Sequence, residues 1–228
     1  MFFVSKTVKL LIYLLSPIMI IAIIIFSIFR NIRLCFLPSH RIGEIAGLAG
    51  LYIHERKKKN NKKNLDFFFS THIIANKFLI DFLRKYLIII PSVFAQPIYK
   101  VLKLLSHYIP FFNKFYFYPT YKDRNLIINK SNKIQLDKKY IYEGECFLKK
   151  IGIPKKSKIA CLIVRDNKYL KDLQPSNDYS YHDYRNCNIE NYKKTIMYLI
   201  SKNYYVFRMG VTYKKELKIK NKKFIDYS

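Results

Sequence analysis

Residues 10–29 form an apolar run of 20 residues that carries no charged side chain. A hydrocarbon core of about 30 Å needs about 20 helical residues, so the run is long enough for one crossing. It exceeds the apolar region of a signal peptide, about 7–15 residues, and no A-x-A cleavage site follows it. The sequence therefore predicts one N-terminal transmembrane helix within residues 1–30, with a kink at Ser16-Pro17. A helix that dips into the bilayer and returns remains an alternative.

Basic residues flank this run unequally, with Lys6 and Lys9 before it and Arg30, Arg33, Arg41 and the run 56–59 after it. Because basic residues near the ends of a span favour the cytoplasm, we expect a single-pass protein of the inner (cytoplasmic) membrane, with its body on the cytoplasmic face. The formal net charge of +27 favours anionic partners, which include membrane headgroups, nucleic acid and phosphorylated ligands.

The next part of the chain alternates short apolar runs with helical patterns. Short runs of this kind, closed by Pro or bounded by polar linkers, are typical of buried strands, and apolar residues three and four positions apart are typical of helices. The predicted strands are 32–37, 65–69 and 87–90, and the predicted helices are 43–54 and 74–87. This βαβαβ order favours a mostly parallel sheet with helices on its faces, and we assign residues 31–150 to an N-terminal Rossmann-like domain.

Residues 93–118 combine aromatic rings with Lys100, Lys103, His107 and Lys114. An interfacial helix on anionic lipid and a core helix with solvated lysines explain this composition equally well. Stacking of nucleic-acid bases on these rings is a weaker alternative, because no RNP-like or helix-turn-helix signature accompanies them. Membrane lipid is therefore an expected partner, and nucleic acid is not.

The second half contains one predicted βαβ unit, with strands at 158–165 and 204–209 and a helix at 189–202. Its strand-to-helix connection, residues 166–188, is much longer than the usual 2–6 residues or so. In open parallel sheets, ligands bind outside the carboxyl ends of the strands, where this long loop lies. The four cysteines lack metal-ligand spacing, and no P-loop or GxGxxG occurs, so we expect neither a metal nor a cofactor.

Charged residues at these strand ends and in the loop are the candidate site residues. Arg165 and Arg208 follow or end the two strands, and Arg185 lies in the loop, so their guanidinium groups are candidates for binding a diphosphate. They are equally candidates for structural ion pairs. His182 beside Asp183 is a candidate general base with an orienting carboxylate, or else a plain polar contact.

Three segments carry a family resemblance: LIVRDNKYL, DYSYHDYRNCNIENY and YLISKNYYVFRMG. They resemble a family of bacterial glycosyltransferases linked to surface-polysaccharide synthesis, which is similar in turn to fucosyltransferase-like enzymes of the two-Rossmann (GT-B) type. The resemblance is high over residues 158–210 and looser in SHRIGEIAG, where the family has His at the position of Glu44. The HxR motif of the fucosyltransferase-like enzymes corresponds here to Ile163-Val164-Arg165, which keeps only the arginine.

The resemblance implies a GT-B-like pair of Rossmann-like domains that transfers sugar from a nucleotide-sugar donor to a lipid-linked or glycan acceptor. It implies that Arg165 and Arg208, with Arg185 nearby, hold the donor diphosphate and that His182 and Asp183 act in catalysis. Residues 157–228 are about half of a typical domain, so we expect a partial C-terminal nucleotide-sugar domain and a truncated, inactive or impaired enzyme. The alternative is a non-catalytic, membrane-associated binding fragment with a basic face.

Overall fold

The computed structural model describes residues 6–59, 64–71, 73–118 and 135–227. The chain divides into two compact units, Met1–Gln135 and Leu136–Ser228. Each unit contains a parallel sheet with helices, so the predicted α/β class with Rossmann-like parallel sheets is confirmed. The second unit begins at Leu136 and so includes the helix Lys138–Lys150, which lies within the residues 31–150 that we assigned to the N-terminal domain from sequence.

The first sheet has four strands: β1 (Asn31–Leu37), β2 (Asn64–Ser70), β3 (Ile88–Ile89) and β4 (Tyr116–Phe117). Their order is β3-β2-β1-β4, and each neighbouring pair is parallel. The central pair is in register from Asn31 with Asn64 to Leu37 with Ser70. The order places β1 and β2 in the centre of the sheet, where each has a neighbouring strand on both sides.

Helices cover both faces of this sheet: α1 (Lys6–Phe26), α2 (Ile42–Lys59), α3 (Lys77–Leu83) and α4 (Ser92–Tyr108). Side chains alternate along β1 as a strand requires. Cys35 and Leu37 pack in a core with α2 and α3, whereas Leu34 and Phe36 pack in a second core with α1 and α4. We use the name α1/α4 layer for α1, α4 and the short 3-10 helix Pro110–Phe115 that follows α4.

The N-terminal apolar run forms most of α1, which packs against α4 through the buried Ser16 and Ile20. The sequence analysis predicted a transmembrane helix here. Within the described ranges, however, no helix combines the length and apolar character needed to cross a membrane. The predicted aromatic segment 93–118 is a helix only as far as Tyr108, and its last described residues contribute β4 to the sheet.

The second unit contains α5 (Lys138–Lys150), β5 (Lys158–Ile163), α6 (Lys168–Leu173), α7 (Lys193–Ser201), β6 (Tyr204–Met209) and β7 (Phe224–Asp226). Its sheet is parallel in the order β5-β6-β7. The core lies on one face, where α7 packs on β6 through Ile196, Ile200 and Val206. On the other face Cys161 and Ile163 of β5 are exposed.

Two asparagines bound the crossover helix and the turn that leads into it. The Asn188 side chain accepts a hydrogen bond from the Glu190 amide at 3.1 Å, which caps the 3-10 turn Ile189–Tyr192 that leads into α7. Asn203 ends the helix in the left-handed region, with φ of 66°. Residues 119–139 are rich in Asn, Lys and Asp, a composition typical of a linker, and they lie mostly outside the described residues, which resume at 135.

Candidate functional site

A cavity of about 480 Å³ opens at the carboxyl ends of β5 and β6 in the second unit. The segment that follows β5 contributes Val164 and Asp166, and the rest of the long loop contributes Asn167, Asn186 and Asn188. Arg208 of β6 and the following Lys214 and Lys215 complete the polar wall. Pockets for drug-sized ligands have volumes of about 300–1,000 Å³, so the cavity is large enough for one small ligand.

Backbone hydrogen bonds hold the two loops around this cavity. The Asp166 carboxylate accepts from the backbone amides of Lys168 at 2.9 Å and of Lys214 at 2.8 Å, which ties the loop after β6 to the end of β5. The Cys187 amide donates to the Arg165 carbonyl at 2.8 Å, which closes the long loop at its far end. Both carboxylate oxygens of Asp166 are thus engaged with the loops that shape the cavity.

Arg208 is the deepest cation in the cavity wall, with only 4% of its side chain exposed. Its Nη1 donates to Asp226 at 3.3 Å, and its guanidinium carbon lies 4.2 Å from the centroid of the Tyr213 ring. A guanidinium has five N–H donors, and the structure assigns no other hydrogen bond to this one among the described residues. Arg208 therefore combines a structural ion pair with donors that remain for a ligand.

Two asparagine side chains in the wall have buried oxygens without a partner in the described part of the chain. These atoms are Oδ1 of Asn167 and Oδ1 of Asn186. A buried acceptor without a hydrogen bond costs free energy, so such groups usually have a protein, water or ligand partner. The cavity lining therefore includes both cationic donors and amide acceptors, a combination that fits a phosphorylated ligand with hydroxyl groups.

The three arginines predicted to hold a diphosphate do not all line the cavity. Arg208 lines it, whereas Arg165 and Arg185 are not among its lining residues. On β5, Leu162 and Val164 pack on the same face as the core of α7, so the strand alternation directs Arg165 to the other side. Arg185 is exposed, and its Nε donates to the Tyr184 hydroxyl at 2.7 Å.

His182 and Asp183 lie in the 3-10 helix Ser180–Arg185 of the long loop. The His182 ring contacts the Tyr181 ring, with centroids 4.0 Å apart. The Asp183 carboxylate accepts from Nδ2 of Asn186 at 2.7 Å, so it holds a side chain that lines the cavity. Asp183 also lines a neighbouring cavity of about 350 Å³, and Asn167 lines both cavities.

Sequence reasoning missed Lys214, Lys215 and the two asparagines. The lysines follow β6 at its carboxyl end, which is the position that places them at the cavity, but they lie among many other lysines that the sequence does not distinguish. The asparagines gave no signal because the sequence does not show which amides are buried. Across the described residues, no group of three or more His, Cys, Asp and Glu side chains could hold a metal ion.

No protein-family model, curated protein or solved structure matches this chain. The interpretation of the cavity therefore depends on its position at the strand ends and on its chemistry. Both point to a small anionic ligand at the crossover of a parallel sheet.

Proposed function

We propose that the chain is a glycosyltransferase-like protein of the GT-B type whose second unit binds a nucleotide-sugar donor. The acceptor is a lipid-linked or other glycan, and the process is the synthesis of a cell-surface polysaccharide. The resemblance of residues 158–210 to the bacterial glycosyltransferases supports the reaction class. The observation that carries the proposal is the cavity at the carboxyl ends of β5 and β6, whose lining includes Arg208, Lys214 and two asparagines with buried oxygens that have no partner among the described residues.

The charge distribution of the cavity suits the leaving group of this reaction. When the bond between the anomeric carbon and the diphosphate breaks, negative charge develops on the diphosphate oxygens. Arg208, Lys214 and Lys215 would stabilise that charge without a metal ion, because cations fixed beside a leaving group act as a metal does. Arg165 and Arg185 remain predicted diphosphate ligands that would have to reach the donor from outside the cavity.

The second cavity is the proposed acceptor side. There an acceptor hydroxyl would form the new bond to the anomeric carbon. His182 precedes Asp183 but is not a lining residue of either cavity, so its ring would have to turn toward this cavity to take the hydroxyl proton. Asp183, which lines that cavity, would contact the acceptor and hold Asn186 in place. A histidine suits this role because its ordinary pKa lies near neutral pH.

The proposed location is the cytoplasmic face of the inner membrane, with α1 as the attachment. A lipid-linked acceptor lies at that surface, and the basic residues that follow the apolar run favour the cytoplasmic side. The two units would then divide the work, the first holding the protein at the membrane and the second binding the donor.

The test is calorimetric titration of the full-length protein with a panel of nucleoside diphosphates. We expect saturable binding, and Lys214→Ala should weaken it about tenfold, because a charge-assisted hydrogen bond is worth about 1.5 kcal/mol or more. Arg208→Ala is a less suitable variant, since it leaves Asp226 without its ion-pair partner.

Lys218→Ala is the matched control, because Lys218 lies in the same loop but does not line the cavity. It should bind like the parent. Equal weakening by both substitutions would mean that net charge, and not the cavity, binds the nucleotide. No binding at millimolar ligand would contradict the donor site and favour the non-catalytic, membrane-associated alternative.

A further inference from the structure

The outer side of α1 is apolar, although the helix already packs its inner side on the first unit. Ile20 is buried in the core with α4, and Ser16, one turn earlier, is also buried, whereas the opposite side of the helix exposes Leu11, Leu14 and Ile18. Leu14, for example, is 69% exposed. A surface helix in water normally carries polar residues on the side away from the core. Packing on α4 therefore leaves a long apolar surface uncovered.

The rest of the α1/α4 layer extends this surface. Leu104 and Tyr108 of α4 are exposed, as are Ile109 and Phe111 at and after its end. Isolated exposed apolar residues are ordinary, but a contiguous apolar surface of this extent marks an interaction site. Since α1 packs on α4 and α4 packs on the 3-10 helix, these side chains belong to adjacent elements of one layer.

The charges in this layer all have one sign. Lys100, Lys103 and Lys114 are exposed, and the Nζ atom of Lys114 lies 3.9 Å from the centroid of the Phe111 ring. The sequence contains no Asp or Glu at positions 1–43 or 82–122, which include every residue of the layer. The opposite layer differs, because α2 carries Glu44 and α3 carries Asp81.

We propose that the α1/α4 layer is a membrane-docking surface that binds a bilayer with anionic headgroups. Its apolar side chains enter the boundary between headgroups and acyl chains, and its lysines contact the lipid phosphates. The charge complementarity selects lipid over a second copy of this chain, since two copies would bring the same lysines together. The inference deepens the membrane attachment of the proposed function and rests on it, but it is independent of donor binding.

The absence of tryptophan from the sequence makes a direct test possible. Leu104→Trp places a single fluorophore at a position that is 58% exposed, and Ile42→Trp places one at a matched position, 56% exposed, on α2 of the opposite layer. Each full-length variant is mixed with vesicles of phosphatidylcholine and phosphatidylglycerol, with and without brominated acyl chains. For Leu104→Trp we expect emission at shorter wavelength and quenching by bromine, and for Ile42→Trp we expect neither.

A second variant tests the lysines. Each lysine near an anionic surface contributes about fivefold to binding, so Lys100→Gln with Lys103→Gln should lower partitioning into these vesicles about 25-fold. Binding to vesicles of phosphatidylcholine alone should change little. An equal loss on both kinds of vesicle would overturn the role of the lysines.

Three results would overturn the docking surface. The first is vesicle binding without a change in Leu104→Trp emission, which would mean that α1 alone holds the protein. The second is a shift to shorter wavelength that depends on protein concentration and not on lipid, which would mean that a second copy covers the layer. The third is no vesicle binding at all. Titration of the same samples with nucleoside diphosphate tests the donor site separately, so failure of one proposal is distinguishable from failure of the other.

Discussion

Asp66 is the most deeply buried carboxylate among the described residues, with 2% of its side chain exposed. It lies on β2 directly beside Arg33 of β1, whose guanidinium donates two hydrogen bonds to it, at 2.7 and 2.8 Å. The Tyr52 hydroxyl also donates to Asp66, and Arg56 donates to Tyr52 at 2.9 Å. Burial works against the charge of Arg33, but the hydrogen bond and charge of Asp66 outweigh it and raise the pKa of Arg33. This cluster joins the two central strands to α2.

Removing Arg33 should therefore destabilise the first unit strongly. Arg33→Ala leaves the Asp66 carboxylate buried beside only neutral or more distant partners, and breaking a buried pair in this way costs about 3–5 kcal/mol of unfolding free energy. Urea unfolding of the full-length protein measures the change. Lys139→Ala is the control, because its 3.8 Å pair with Glu143 is exposed and worth only about 0.3–0.5 kcal/mol. Similar losses in the two variants would mean that the buried pair has no special role.

The stability of the first unit should also fall in alkali. Burial, together with the hydrogen bond to Asp66, raises the pKa of Tyr52, and burial raises the pKa of the Cys35 thiol. Both groups are neutral when protonated. In the unfolded chain the pKa is about 10 for a tyrosine and about 8.5 for a cysteine, so the unfolded chain loses these protons at a lower pH than the folded chain does. The contribution of these two groups to the unfolding free energy should therefore be fully present at neutral pH and decrease as the pH rises through the pKa values of the unfolded chain. Urea unfolding between pH 7 and 10 measures it, and an unchanged slope in Tyr52→Phe would exclude the tyrosine contribution.

At the scale of elements, strands that coincide with local apolar runs could be predicted from the sequence, including the two-residue β3 within 87–90, but a strand formed only by distant pairing could not. The observed β6 has the predicted bounds, and β1 and β2 are longer by one or two residues. In contrast, the Tyr116–Phe117 strand was not predicted, because two residues become a strand only through pairing with distant Leu34 and Cys35. The predicted helix 74–87 is only Lys77–Leu83, since the Asn76 side chain caps it at Leu79.

Prediction of the candidate site is limited in the same way, because contacts formed by distant parts of the chain leave no local signal in the sequence. Its place at the carboxyl end of a parallel sheet could be predicted, because the order of strand, long loop, helix and strand determines that edge. The side-chain contacts within the site could not be predicted, since Arg208 contacts Asp226 only because β6 pairs with β7. The buried pair of Arg33 and Asp66 did have a signal, which is one charge at the third position of each of two apolar strands.

At the scale of the molecule, the two units differ in how their sheets are covered. The first sheet has a buried core on each face, and both contain side chains of the central strands, among them Leu34 and Cys35. The second sheet has one buried core cluster among the described residues. On its other face Phe207 of β6 is buried near Tyr227, but Cys161 and Ile163 of β5 lie exposed. Its β5 is also an edge strand, with only β6 beside it. Uncovered edges and faces lower the free energy of local opening.

Amide hydrogen exchange of the full-length protein should therefore separate the units. We expect β1 and β2 to exchange more slowly than β5, because opening the first sheet exposes two cores and opening the second exposes one. Within the second unit β6 should be slower than β5, since β6 has a neighbour on both sides. Exchange followed by mass spectrometry of peptides from each strand measures this order. Equally slow exchange of β1 and β5 would contradict it and would mean that the exposed face of β5 is covered in solution, where Cys161 would then react slowly with thiol reagents.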